Sequence, residues 1–310
     1  MGKYEDLEKR IEKLETLIRS GGGSAGGGGG GGGSAVELCC SPPQLPQRTF
    51  DEDDSVERDR LLSSRGNKWV NGTILHFYFF EDSFWGASEA EKDIVREAFD
   101  VWKDVGIGLR FQEVTSPDDA EIRIGFQSRD GYWSYIGTDV LRIGQTERTM
   151  NFGQDLRTDH RGVDVPVHEI GHTLGFPHEH QNPFSGIVWD RQAVIDRYSG
   201  PPNNWDLAKI EHNILNQHDA SLLEGSQWDP NSIMHYSFPP SVIVQPPPYN
   251  TEGISPSPGL SPTDESEALE FYPPMTPTHP ELKPFAFERL SLSPNEQADF
   301  TISPTSTREY

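Results

Sequence analysis

The stretch His168-Glu169-Ile170-Gly171-His172-Thr173-Leu174-Gly175-Phe176-Pro177-His178 carries three imidazoles and one carboxylate at spacings that chemistry can use. On a helix, His168 and His172 stand one turn apart on the same face, so a ring nitrogen from each can reach one ion. Gly175, three residues after the second histidine, lets the helix stop by entering a left-handed conformation that other side chains resist. That reversal brings His178 toward the same ion. Three neutral nitrogens with a fourth position left for water is the arrangement of catalytic rather than structural zinc. Glu169, beside the first ligand, is near enough to take a proton from that water. A closed structural site would need a fourth protein ligand. His180 is the nearest candidate, but it lies two residues beyond His178, and such neighbours diverge on an extended chain.

Several elements must position these groups. Thr73 to Phe80 is an aromatic and β-branched run that reads as a strand after the Asn71-Gly72 turn signal. Ser88 caps a predicted helix through about Val105, with Ile94, Ala98, Val101 and Trp102 on one face. Ala120 to Phe126 alternates, with Ile122, Ile124 and Phe126 set against Glu121, Arg123 and Gly125, which predicts a half-buried strand. A further strand is expected at Thr149 to Phe152, the histidine helix at Val165 to Leu174, partial helix at Asp206 to Gln217, and a last helix at about Thr263 to Phe271. This order supports an α/β or α+β sandwich with the histidine helix behind a mixed sheet.

Composition narrows the partners. The 310 residues carry 26 basic and 49 acidic side chains, a formal net charge of -23, which argues against nucleic acid or an anionic membrane. Only Cys39 and Cys40 occur, and being adjacent they cannot staple the central domain from within. Leu7, Ile11, Leu14 and Ile18 give residues 1–20 the look of a short amphipathic, coiled-coil-like helix, with weak self-association through residues 3–19 as one outcome. Residues 21–34, with the unbroken glycine run Gly26 to Gly33, form a flexible linker. Residues 35–64 are a Pro-rich and acidic extension, and 275–310 a Pro- and Ser-rich one with candidate short strands at 285–287 and 298–302. No secretory leader or membrane span is visible. The expectation is therefore a cytoplasmic or non-classically exported chain, or a secreted one if its N-terminus is incomplete or engineered.

The zinc-type motif, followed by Ser232-Ile233-Met234-His235-Tyr236, resembles the metzincin clan of zinc endopeptidases and is most similar to its astacin-like group. Lys68-Trp69-Val70-Asn71-Gly72-Thr73-Ile74, Gly131-Tyr132-Trp133-Ser134-Tyr135-Ile136-Gly137 and Leu260-Ser261-Pro262-Thr263-Asp264 are further similar stretches, so the resemblance covers residues 65–274. It implies an α+β zincin fold: a twisted mixed sheet, long helices, the active-site helix, and a methionine turn below the metal. It also implies zinc on His168, His172 and His178, Glu169 as general base, and Met234 supporting the histidines from beneath. Tyr236 would bind zinc at rest and swing away to hydrogen-bond the tetrahedral intermediate; the plainer alternative is a tyrosine that packs and bonds locally. The chain departs from the group where His180-Gln181-Asn182 follows His178-Glu179, and it lacks the usual domain disulfides, which marks a divergent branch.

The function expected is a zinc-dependent metalloendopeptidase with one catalytic Zn(2+), hydrolysing peptide bonds by Glu-assisted attack of zinc-bound water on a protein or peptide substrate. The alternative is a non-catalytic zinc-containing module that binds peptides or proteins. An extended substrate is expected to pair with a sheet edge near residues 121–127. Cys39 and Cys40 precede the domain; a thiolate at the open zinc position would hold the enzyme latent, and structural, redox or incidental roles are the alternatives.

Overall fold

The structure, a computed structural model, describes residues 40–45, 67–82, 84–218 and 227–275. The expected N-terminal coil, the glycine linker, most of the 35–64 extension and the candidate strands at 285–287 and 298–302 lie outside the described residues. Among the described residues no helix is long and apolar enough to cross a membrane.

Strand β1 (Ile74–Phe79) emerges from the Asn71-Gly72 turn, where Gly72 takes φ 92°. Helix α1 (Glu89–Asp104) follows, opened by Ser88, whose backbone N–H and hydroxyl both donate to Glu91 Oε2, at 3.1 and 2.8 Å. The buried stripe of α1 runs through Val95, Ala98, Phe99 and Trp102. Of the four residues expected on one face, Ala98 and Trp102 lie in it, while Ile94 and Val101 are partly buried and flank it. The aromatic bulk of Phe99, stacked on Phe77 at 4.2 Å, sets the rotation of the helix against the sheet.

Strands β2 (Arg110–Glu113), β3 (Ile122–Gly125), β4 (Trp133–Ser134) and β5 (Met150–Asn151) complete a sheet of order β2-β1-β3-β5-β4. The first four in that order are parallel, with Phe77 opposite Ile122 and Ile124 opposite Met150, and β4 closes the edge antiparallel to β5. Two expectations for residues 120–126 change accordingly. The strand is buried on both faces rather than half-buried, as a central parallel strand must be. It also offers no free edge to a substrate, because β1 and β5 flank it; the edge strands are β2 and β4.

Burial on the second face of β3 includes Arg123, only 1% exposed. Its guanidinium donates to the carbonyl oxygens of Glu147 (2.8 Å), Ala120 (2.9 Å) and Ile143 (3.1 Å) and to Gln145 Oε1 (2.7 Å), so the loop at 143–147 covers this face and is held by one side chain.

Helix α2 (Asp164–Thr173) packs along α1, with Trp102 Nε1 donating to Val167 O at 2.9 Å. The chain then builds a second half. Strand β6 (Val188–Trp189) leads into α3 (Arg191–Ser199), and Asp206 caps a short α4 (Leu207–Ile210) that widens into a π-helical turn over Glu211–Leu215. The helix expected at 206–217 is thus present but irregular. Strand β7 (Ile243–Gln245) pairs antiparallel with β6, and α5 (Tyr249–Glu252) precedes the last helix, α6 (Pro262–Phe271). Among the described residues there are two apolar cores. One joins the main sheet, α1, α2, Met234 and Tyr272; the other gathers Ile187, Val194, Tyr198, Trp205, Ile210, Tyr236 and Phe238.

Asp264 links α6 to the turn below α2. It accepts from Ser261 N (2.8 Å) as part of the helix cap, and also from Ser232 Oγ (2.6 Å) and Ile233 N (2.8 Å). Replacing Asp264 by Ala should cost about 2–4 kcal/mol, since each hydrogen bond to a charged acceptor is worth roughly 1.5–3 kcal/mol and the losses overlap; urea unfolding measures it. Arg123→Met should cost about 3 kcal/mol or more, because it leaves several buried carbonyls unpaired. It should also raise the hydrogen-exchange rate of the 143–147 loop before that of the rest of the sheet.

Candidate active site

Helix α2 ends as its sequence dictates. Gly175 adopts φ 102°, its N–H bonds to His172 O at 2.8 Å, and Phe176 N reaches back to Gly171 O at 3.0 Å. Trp69 and Tyr272 cover the exposed carbonyls of this last turn: Trp69 Nε1 donates to Thr173 O (2.8 Å) and the Tyr272 hydroxyl to Leu174 O (2.7 Å). The chain reverses and His178 returns to the histidines of α2. One ligand atom from each of His168, His172 and His178, together with Cys40 Sγ, lies within 4.8 Å of the others.

Each helical imidazole is oriented by a backbone carbonyl. His168 Nδ1 lies 2.7 Å from Ile233 O and His172 Nδ1 2.8 Å from Phe176 O. Those contacts require Nδ1–H, which leaves the Nε2 lone pairs free for a cation. His168 Nε2 is buried without a hydrogen-bond partner, and His172 Nε2 sits 3.0 Å from His178 Nε2. Burial holds all three rings in their neutral, ligand form. It lowers His168 to about 4 and pushes His172 and His178 well below the usual histidine range. An orphaned buried nitrogen, converging neutral imidazoles and carbonyl-fixed ring orientations fit a zinc ion bound by His168, His172 and His178.

The floor of the site is the turn at 232–236. Ser232 O accepts from His235 N at 3.0 Å and Ser232 Oγ from Met234 N at 3.0 Å. Met234 O accepts from Glu179 N at 3.0 Å, tying the residue after His178 to the turn. The Met234 thioether lies under Gly171, so close that a Cβ there would stand 2.4 Å from Sδ; glycine at this helical position is what lets α2 settle onto the methionine. Glu179 is itself half-buried, accepting from Asp229 N and Asn182 Nδ2 at 3.0 Å each, and desolvation raises its carboxyl to about 7.

Glu169, 1% exposed, accepts a hydrogen bond from Cys40 Sγ at 3.3 Å. Burial raises its carboxyl to about 8, against a smaller lowering by the Cys40 bond and the Arg161 charge. The Tyr236 ring stands 4.4 Å from His178 and 4.5 Å from His180 by centroid, and its hydroxyl donates to the Cys40 carbonyl. His180 is not among the converging ligand atoms; its Nε2 faces Asn213 O at 2.8 Å. His168, His172, His178, Glu169, Met234 and Tyr236 are therefore brought together, whereas His180 turns away and Cys39 lies outside the described residues. The carbonyl partners of the imidazoles and the reach of Asp264 to the turn carry no local signal in the sequence, and for Cys40 a place beside the histidines is one of several roles the sequence leaves open.

Comparison with known proteins agrees with this geometry. The family model for the Astacin peptidase family matches residues 62–241, more than half of the chain. Karilysin of Tannerella forsythia is 26% identical over 218 residues, covering 60% of this chain and 45% of its own. Bone morphogenetic protein 1 of Xenopus laevis is 29% identical over 243 residues, covering 75% of this chain and 31% of its own. The chain thus spans less than half the length of these curated relatives. Among solved structures, myroilysin superposes with a TM-score of 0.62 at 30% identity, covering 69% of this chain and 98% of that one. With the matched region spanning the sheet, the histidine helix and the methionine turn, the chain belongs to the astacin family of zinc metallopeptidases.

Proposed function

We propose that residues 65–274 form the catalytic domain of a zinc metalloendopeptidase, with His168, His172 and His178 holding zinc, Glu169 as general base and Tyr236 as oxyanion donor. The observation that carries this assignment is the convergence of three neutral imidazoles beside a buried carboxylate on the same helix. A purely structural zinc site has no use for a proton acceptor at that position. When bound, zinc supplies a Lewis acid for the scissile carbonyl and a positive charge that favours ionised Glu169. Glu169 takes the proton from water as its oxygen attacks the carbonyl carbon, then gives it to the departing amine nitrogen. The Tyr236 hydroxyl, freed from its bond to Cys40, donates to the oxygen on which negative charge develops. The edge at β4, where Tyr132 already pairs with an extended segment, supplies backbone hydrogen bonds that hold a peptide across the cleft. The substrate is an unfolded protein or a peptide.

Cleavage of denatured casein tests this, in a Cys40→Ser background so that the thiol against Glu169 does not mask turnover. Glu169→Gln should keep stoichiometric zinc, measured by atomic absorption, and lose roughly 100-fold or more in kcat, the usual contribution of a general base. Equal turnover with bound zinc would remove Glu169 from the mechanism and favour a non-catalytic zinc module. Tyr236→Phe should lower kcat by ~100-fold, about 3 kcal/mol, with zinc content and KM nearly unchanged. A rate equal to the parent would leave Tyr236 a packing residue.

A further inference from the structure

His180 stands beside the phenol rather than at the metal, and we propose that it is a positioning residue for hydrolysis. Anchored to the π-helical turn at 211–215, its ring fixes the Tyr236 phenol in the orientation from which it serves the oxyanion. This rests on the role given to Tyr236 above. The Tyr236 ring packs against two imidazoles, His178 at 4.4 Å and 61° and His180 at 4.5 Å and 34°, and these imidazoles stand 5.2 Å from each other. Phe238 closes the cluster, 5.1 Å from His180 and 5.9 Å from Tyr236. A phenol packed this closely cannot turn about its side-chain bonds without pressing on its neighbours. His178 is placed by the metal it would bind, so the freedom left to the phenol depends on what holds His180.

His180 is 1% exposed, and its Nε2 lies 2.8 Å from Asn213 O. That contact requires Nε2–H, so Nδ1 carries the lone pair, and Nδ1 is buried without a hydrogen-bond partner. An unpaired buried acceptor is a cost that an apolar side chain of this size would avoid. What such a side chain lacks is a donor with which to grip the turn. Asn213 belongs to the end of the π-helical segment, where the chain becomes extended at Asn216 and the last carbonyls have no helical partners. The next donor along, His218 N, reaches Gln181 O at 2.9 Å instead. Gln181 Nε2 donates to His212 O at 2.6 Å and to Asn216 O at 2.8 Å, and Asn213 Nδ2 donates back to Lys209 O at 2.9 Å. The residues that follow Glu179 are thus stitched to the π-helical turn, and His180 is the one among them whose ring faces the phenol.

Casein hydrolysis by the full chain in the Cys40→Ser background tests this through a double-mutant cycle. His180→Asn, whose amide is too short to reach Asn213 O, should lower kcat about tenfold with KM and zinc content unchanged. The loss is smaller than the ~100-fold expected without the hydroxyl, because a misplaced donor still acts part of the time. In a Tyr236→Phe chain the same substitution should cost less than about twofold more, since the group it positions is gone. His180→Gln, which carries an N–H donor where Nε2 stood, should recover most of the loss. Unchanged kcat in His180→Asn beside a lowered one in Tyr236→Phe would overturn the positioning role and leave the oxyanion donor standing. So would a loss that persists undiminished in the Tyr236→Phe chain, one carried by KM or zinc content, or one that His180→Gln does not relieve. A Tyr236→Phe chain as fast as its parent would overturn both readings. The anchor is also checked without any variant: nitrogen NMR of the labelled full chain loaded with zinc should place the His180 ring proton on Nε2. A proton on Nδ1 would overturn the bond to Asn213 O and the proposal with it.

Discussion

Bringing imidazole lone pairs together in a buried place is unfavourable unless something positive sits between them, and the structure around α2 is organised to hold that arrangement. His172 and His178 Nε2 stand 3.0 Å apart, and His168 Nε2 points to no protein partner. Isolated side chains would rotate away. Here each helical ring is locked by a carbonyl, from Ile233 and from Phe176, and neither carbonyl belongs to the regular part of the helix. Ile233 is fixed in turn by Asp264 from the start of α6, and Phe176 by the left-handed exit at Gly175. The metal geometry thus depends on segments from three separate regions of the chain.

The apolar architecture serves the same end. Trp102 donates into α2 at Val167 while its ring helps enclose Gly171 above Met234, so helix, turn and methionine are packed as one body. Trp69, from the entrance of the domain, and Tyr272, just past its last helix, meet at the C-terminal carbonyls of α2. A helix end that would otherwise present bare oxygens is tied to both ends of the described domain.

Much of this was legible in the sequence where a local rule governs. The 168, 172, 178 spacing, the glycine exit at 175, the Ser88 start of α1 and the Pro262 start of α6 each depend on residues within a turn or two of one another. Rules that depend on distant neighbours failed. Alternation marks Arg123 as outward-facing, and so it is, but the loop at 143–147 folds over that face and buries it. Periodicity alone cannot tell Ile94 from Val95 as the centre of the stripe on α1, because Phe99 and its stack on Phe77 decide the rotation. The rank of β3 inside the sheet follows from crossover connections, which a single strand's pattern does not encode. For Cys40 the sequence offers a place at the metal only beside structural, redox and incidental roles, since 129 positions separate it from the carboxylate it faces.

Met234 belongs to the first apolar core and Tyr236 to the second, with His235 alone between them. The imidazoles and the base travel with α2 and the methionine, whereas the phenol is embedded in the opposite wall. Any parting of the two walls would then change the distance between phenol and imidazoles while leaving the imidazole cage intact. The step through His235 is the shortest covalent tie between the walls, beside the longer stretches from Phe176 to Ile187 and from Ile254 to Leu260.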